Sequence, residues 1–209
     1  MEDILDLYHE PYDPFNPVVC FDEGNKQLIS EIRTPLPAKP GQPERYDYEY
    51  KREGTCNLFM FFEPLASWRH VEVTDRRTKI DFAHCMKYLV DDRYPGAETI
   101  RVVQDNLNTH KPSSLYEAFP PAEARRILQR LDFRYTPRHG SWLNMAEIEI
   151  NVLMNQCLDR RIACKSFLIQ EANSWETDRN RRASISNWQF STSDARIKLK
   201  KLYPSFHDG

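Results

Sequence analysis

Three acidic residues stand at places where a carboxylate can meet other carboxylates: Asp22 at the end of "VVCFDE", Asp105 within "RVVQDNLNTHKP", and Glu147 within "HGSWLNMAEIEI". The first two follow apolar runs that read as β-strands, and the third opens a helical pattern. Strand ends that are neighbours in a sheet bring their side chains together. Carboxylates gathered in a half-buried place repel one another unless a proton or a cation lies between them. Mg²⁺ suits such a place, because it takes oxygen ligands, keeps several waters and needs few protein carboxylates. Each acid also has a plainer reading. Asp22 and Asp105 can simply turn the chain at a strand end. Glu147, three residues after Asn144, can be the N3 partner of a helix N-cap.

Glu149 competes with Glu147. Two residues apart on a helix is about 200° around its axis, so only one of the pair can face the other acids. His110 and His139 have no Cys or His at a zinc-ligand spacing, and polar contacts near a cleft suit them better. Five cysteines at scattered positions, Cys20, Cys56, Cys85, Cys157 and Cys164, contain no CxxC pair and support neither a disulfide framework nor a zinc knuckle.

The elements that must position the acids follow from periodicity. "YHEPYDPFNP" is an extended lead-in after a short apolar piece at Ile4, Leu5 and Leu7. "VVCFDE" reads as a short strand, with "KQLISEIR" pairing back on it. A proline-rich loop follows at Pro35, Pro37, Pro40 and Pro43. "TCNLFMFFEP", bounded by Gly54 and Pro64, is apolar enough for a strand buried on both faces, and "WRHVEVTD" alternates as a more exposed one.

From Thr78 the period becomes helical, with Ile80, Ala83, Met86, Leu89 and Val90 on one stripe and Thr78 and Asp81 placed to cap it. "TIRVV" is a strand, "SLYEAF" and "AEARRILQRL" are helices, "DFRYTP" is a strand, and "NMAEIEINVLMNQCLDRR" is a longer helix. "KSFLIQEANSWETDR" and "SDARIKLKKL" add two more. The order β-β-β-α-β-α-β-α defines an α/β fold with a mixed sheet of about five strands flanked by helices and a small helical C-terminal extension. The expected divisions are a linker-like segment 1–17, a main domain 18–163 and a helical extension 164–209.

A chain of 209 residues with net charge -2 carries no overall field for nucleic acid. DNA contacts would have to be local, at clusters such as Arg76 and Arg77, Arg179 with Arg181 and Arg182, or Lys198 with Lys200 and Lys201. No apolar run spans a bilayer and the acidic N-terminus has no signal-peptide pattern, so a cytoplasmic protein without membrane contact is expected.

The stretches "VVCFDE", "VVQDNLNTHKP" and "YTPRHGSWLNMAEIEI" resemble, in order and context, the three acidic motifs of DDE transposases, particularly the bacterial insertion-sequence relatives of the mariner elements. In that family the first motif ends a strand in Asp-Glu, the second reads Asp-Asn with a His beyond, and the third has Leu-Asn before the acid. "GTCNLFMFFEPLASWRHV", "RRTKIDFAHCM" and "NQCLDRRI" extend the likeness, which runs from about Leu5 to Pro204. "GNKQL" after Asp22-Glu23 departs from the family's usual Lys or Pro.

The resemblance implies a ribonuclease H-like, retroviral-integrase-like fold. It implies a catalytic and metal-binding triad of Asp22, Asp105 and Glu147, with "LNMAE" selecting Glu147 over Glu149. It implies two Mg²⁺ or Mn²⁺ ions, and DNA cleavage followed by strand transfer on element ends and target DNA, by a homodimer on DNA. Asn106, His110, Lys111, Arg138 and Asn144 are then groups that support the ligands or contact DNA. Family members carry an N-terminal helix-turn-helix region; here it is expected from a separate reading frame. The competing expectations are a truncated, non-autonomous remnant acting as a DNA-binding or inhibitory assembly module, and a ribonuclease H-like nuclease without strand transfer.

Overall fold

The computed structural model describes residues 1–138, 140–183 and 185–203. Its elements are α1 (Glu2–Tyr8), β1 (Val18–Glu31), β2 (Tyr50–Glu63), β3 (Trp68–Thr74), α2 (Lys79–Tyr88), β4 (Ile100–Gln104), α3 (Ser113–Ala118), α4 (Pro121–Leu128), β5 (Leu131–Tyr135), α5 (Met145–Gln156), α6 (Lys165–Arg182) and α7 (Thr192–Lys198). One mixed sheet runs β3-β2-β1-β4-β5. β1 is antiparallel to β2 and parallel to β4, and β4 is parallel to β5. This is the mixed five-stranded sheet that the order of elements predicts, in the ribonuclease H-like arrangement that the resemblance implies.

Helices cover both faces, and the strand residues divide accordingly. Cys20, Leu58, Met60, Phe62 and Val103 pack with α1, α5, α6 and α7 in one core. Val19, Phe21, Phe59, Phe61, Ile100 and Val102 pack with α2, α3 and α4 in the other. Because successive strand side chains point to opposite faces, the parity continues past the apolar run: Asp22 shares the face of Cys20, and Glu23 shares the face of Phe21.

β1 differs from the expectation of two short strands. It is one 14-residue strand, paired with β2 from Cys20↔Phe62 to Glu31↔Tyr50. Gly24 causes no turn; it pairs with Leu58 inside the strand, and a Cβ there would stand 3.1 Å from Ile150 Cγ2. Gly24 therefore serves the close approach of α5 to the sheet beside Asp22. Gly54 likewise lies within β2 and does not bound it. Its φ of +108° accompanies the register shift opposite Leu28 and Ile29, a bulge that a residue with a Cβ would strain.

α2 forms with the Thr78–Asp81 capping box. Its buried stripe starts at Phe82, with Ala83, Cys85, Met86, Leu89 and Val90, whereas Ile80 is half exposed. The helical period holds: Ala83, Met86, Leu89 and Val90 are buried as expected, Phe82 and Cys85 join them, and only Ile80, in the first turn, is left out. α5 stops at Gln156, short of "CLDRR"; beyond it Leu158 and Ile162 are buried, and the Ile162 carbonyl accepts from Ile29 N–H at 2.8 Å, fastening the segment to the far half of β1.

α6 runs along the edge strand β3. Asn180 Oδ1 accepts from Arg69 N–H (2.8 Å), Asn180 Nδ2 donates to the Arg69 carbonyl (2.9 Å), and Glu176 accepts from Val71 N–H (2.9 Å). These side chains occupy edge groups that would otherwise be open to another strand. No helix among the described residues is long and apolar enough to cross a membrane.

Candidate active site

Asp22 is held on the α5 face of β1, paired in register with Met60, and its Oδ1 accepts from Glu23 N–H (2.9 Å). Burial pushes its carboxyl up to about 7, and the charges of Glu23, Asp105 and Glu147 push the same way. Those interactions place Asp105 and Glu147 within electrostatic reach of Asp22, which their distance along the chain had left open.

Asp105 directly follows β4, the parallel neighbour of β1; the β1–β4 pairing runs to Cys20↔Val103, so Asp105, just past the end of β4, comes beside Asp22 within β1. Its Oδ1 takes a short bond from His110 Nδ1 (2.6 Å) and a longer one from Leu107 N–H (3.2 Å). Burial alone would raise the Asp105 carboxyl, but the hydrogen bond and charge of His110 outweigh it and hold the group below the usual carboxylate range. His110 in turn is almost fully buried. Its ring stacks on Phe82 (5.0 Å between centroids), meets Phe21 edge-on (5.4 Å), and presents Nε2 to Glu23 Oε2 at 3.1 Å. Burial would lower the imidazole, yet Asp105 and Glu23 together lift it to about 9. The His110 carbonyl accepts from the buried Gln104 Nε2 (3.0 Å) and from Tyr135 Oη (3.2 Å), so the whole loop after β4 is fixed.

Glu147 lies in the first turn of α5. The N-cap is Asn144, whose Oδ1 accepts from Ala146 N–H (3.2 Å) and whose Nδ2 donates to the Phe21 carbonyl (2.8 Å). The amide thus caps α5 and ties it to β1 beside Asp22. Glu147 closes no capping box, and its buried Oε2 has no hydrogen-bond partner among the described residues. Glu149 faces elsewhere: it is buried between Arg69 (Nε–Oε2 2.7 Å) and Arg179 (Nη2–Oε1 3.0 Å).

The other sequence candidates divide. Asn106, Lys111 and Arg138 are exposed at the rim of the loops that carry the acids, and no described side chain pairs with them. His139 lies outside the described residues. The residue the sequence reading passed over is Glu23. It sits next to Asp22 and looks like part of the same acidic motif, but strand parity sends it to the opposite face, where it meets His110.

A cation fits the donor set. Asp22, Asp105 and Glu147 offer only hard carboxylate oxygens, which suit Mg²⁺ or Mn²⁺. The orphaned Glu147 oxygen and the raised Asp22 carboxyl are both features that a bound cation would relieve. Glu23, Asp105 and His110 also bring ligand atoms within 4.8 Å of one another. There the imidazole already stands 2.6 Å from one carboxylate and 3.1 Å from the other, which leaves no room for an ion between ring and acids.

Residues 17–169 match the family described as DDE superfamily endonuclease, and the chain belongs to that family. Its fold is similar to that of the Mos1 mariner paired-end complex with Mn, at 14% identity and TM-score 0.58 over 88% of this chain and 55% of that one. It is also similar to the Mos1 transposase paired-end complex with left transposon end (14% identity, TM-score 0.53, 81% of this chain, 51% of that one) and to the Mos1 strand transfer complex (12%, 0.54, 81% and 51%). The chain spans about half the length of these proteins. No curated protein matches it.

Proposed function

We propose that the chain is the catalytic domain of a DNA transposase, in which Asp22, Asp105 and Glu147 together hold divalent cations, two Mg²⁺ or Mn²⁺ ions, for phosphodiester cleavage and strand transfer. The observation that carries this reading is the burial-raised Asp22 carboxyl lying within reach of the Asp105 and Glu147 charges, beside a buried Glu147 oxygen with no partner. Such a cluster is costly for folding alone, and repaid when a cation binds.

When bound, the cations activate the attacking oxygen and stabilise the leaving one. The chain's own residues do the rest. Asp22 and Asp105, on adjacent rigid strands, fix two corners of the site. Asn144 fixes the third by tethering α5, and His110 orients Asp105. Exposed Asn106, Lys111 and Arg138 meet phosphates at the rim, positioning the strand without reading its sequence. The products are a free 3′-hydroxyl at the element end and then its ester with target DNA.

DNA is the proposed substrate because the Mos1 proteins of similar fold are described with a transposon end and in strand transfer. The proposed assembly is a homodimer on DNA.

The test is incubation of the purified chain, with Mg²⁺ or Mn²⁺, on supercoiled plasmid, on an RNA–DNA hybrid and on duplexes ending in any inverted repeats that sequencing finds beside its gene. Cleavage at repeat ends with joined products supports the proposal. Preferential hybrid cleavage would make it a ribonuclease, and binding without cleavage an assembly module.

A further inference from the structure

Asp22 and Glu23 are neighbours in sequence and work on opposite sides of the sheet. Asp22 faces α5 and Glu147, whereas Glu23, with its side chain 5% exposed, faces the α2 side and the His110 ring. His110 is clamped by four groups. Phe82 and Phe21 fix its ring by contact, Asp105 Oδ1 engages Nδ1 at 2.6 Å, and Glu23 Oε2 engages Nε2 at 3.1 Å. The Glu23 contact is a close ion pair and not a hydrogen bond: Glu23 Oε2 is buried with no hydrogen-bond partner among the described residues, whereas the Asp105 contact is a hydrogen bond. Arg77 stands 3.7 Å from the second Glu23 oxygen and holds that end of the carboxylate.

Both described hydrogen bonds to the Asp105 carboxylate fall on Oδ1, from His110 Nδ1 and from Leu107 N–H. Oδ2 is therefore the oxygen left without a described hydrogen bond. Which oxygen is committed depends on the plane of the His110 ring, and the polar group that holds the far edge of that ring is Glu23.

We propose that Glu23 is a positioning residue for Asp105, acting through the buried His110 ring: its carboxylate fixes the imidazole that pins Asp105 Oδ1 and so leaves Oδ2 aimed at the cation. The inference rests on the metal site proposed above and deepens it. The acid at position 23 touches neither cation nor DNA. It belongs to the class of outer partners that orient a ligating carboxylate, whose loss typically weakens metal binding by about 10- to 100-fold.

The discriminating experiment is Mn²⁺ titration of the full chain by isothermal calorimetry, with thermal melting of the metal-free protein as the folding control. The set is wild type, Asp105→Asn, Glu23→Gln, His110→Ala and the Glu23→Gln/His110→Ala double variant. Asp105→Asn should abolish binding. Glu23→Gln, nearly the same shape, should melt like wild type and yet bind Mn²⁺ about 10-fold more weakly. His110→Ala should weaken binding by at least as much, and the double variant should be no worse than His110→Ala, because the two residues act in series. Should Glu23→Gln not fold, Glu23→Asp keeps the charge but withdraws it from Nε2, and the same loss is expected.

Mn²⁺ affinity unchanged in Glu23→Gln while Asp105→Asn binds none would overturn the relay and leave the metal site standing. Losses that multiply in the double variant would also overturn it. A wild-type chain that binds no Mn²⁺, or an Asp105→Asn chain that binds as wild type does, would overturn the metal site and the relay with it.

Discussion

The Asn144 side-chain amide donates to the Phe21 carbonyl at 2.8 Å while its oxygen caps α5, so one buried residue joins the helix bearing Glu147 to the strand bearing Asp22. Helix and strand meet closely there because Gly24, two residues beyond Asp22 on β1, has no Cβ to hold Ile150 away.

Replacing Asn144 with Ala removes the cap and strands a buried carbonyl, a combined cost of about 2–3 kcal/mol. Asn144→Asp keeps the cap acceptor but loses the donor to Phe21. Urea unfolding should rank the two variants wild type, then Asp, then Ala, and both should lose divalent-metal-dependent DNA nicking by more than their stability loss explains. An Asn144→Ala chain as stable as wild type would show that the tether contributes nothing.

Glu147 and Glu149, two residues apart, should fail in opposite ways. Glu147→Gln removes one of the mutually repelling carboxylates and leaves the fold intact, with equal or higher metal-free stability and no nicking. Glu149→Ala leaves Arg69 and Arg179 without their buried carboxylate, which costs about 3–5 kcal/mol. Thermal melts and nicking assays on the pair separate the roles, and equal destabilisation by both changes would contradict the assignment.

His70, on β3, gives a pH signature away from the site. Burial would lower its imidazole, but Glu176 of α6 and Glu72 outweigh that and raise it to about 9. A group whose folded value exceeds its unfolded 6.5 stabilises fully below about pH 6.5 and loses that contribution as pH rises through 9. Its size is up to about 3 kcal/mol. The stability difference between wild type and His70→Asn should therefore be largest near pH 6 and shrink toward pH 9.5. A difference constant across that range would show that the imidazole is uncharged in the folded protein.

Much of the architecture was readable from local pattern. The order of strands and helices, the Thr78–Asp81 cap, Asp105 at a strand end and Glu147 at a helix start all follow from residues close together in the chain, whereas Asp22 lies inside β1 and not at its end. What was hidden depends on partners far apart. β1 read as two short strands because what Gly24 serves, the close approach of Ile150, lies on a distant helix. Ile80 read as core because the burial of Phe82 in its place depends on Phe21 and His110, far away in the chain. Glu149 looked like a spare acid until Arg69 and Arg179 were beside it. Glu23 was masked by adjacency to Asp22, although strand parity alone was a usable signal that the two acids face different ways.

The central claim is that Asp22, Asp105 and Glu147 form one cation-dependent cleavage site. Its most direct measurement is nicking of supercoiled plasmid by the purified chain in Mn²⁺ or Mg²⁺, compared with Asp22→Asn, Asp105→Asn and Glu147→Gln and with each protein in EDTA. The account predicts nicking by wild type only, lost with the metal and lost in each variant while all three still melt cooperatively. Nicking that persists in Asp105→Asn, or that survives EDTA, would contradict it.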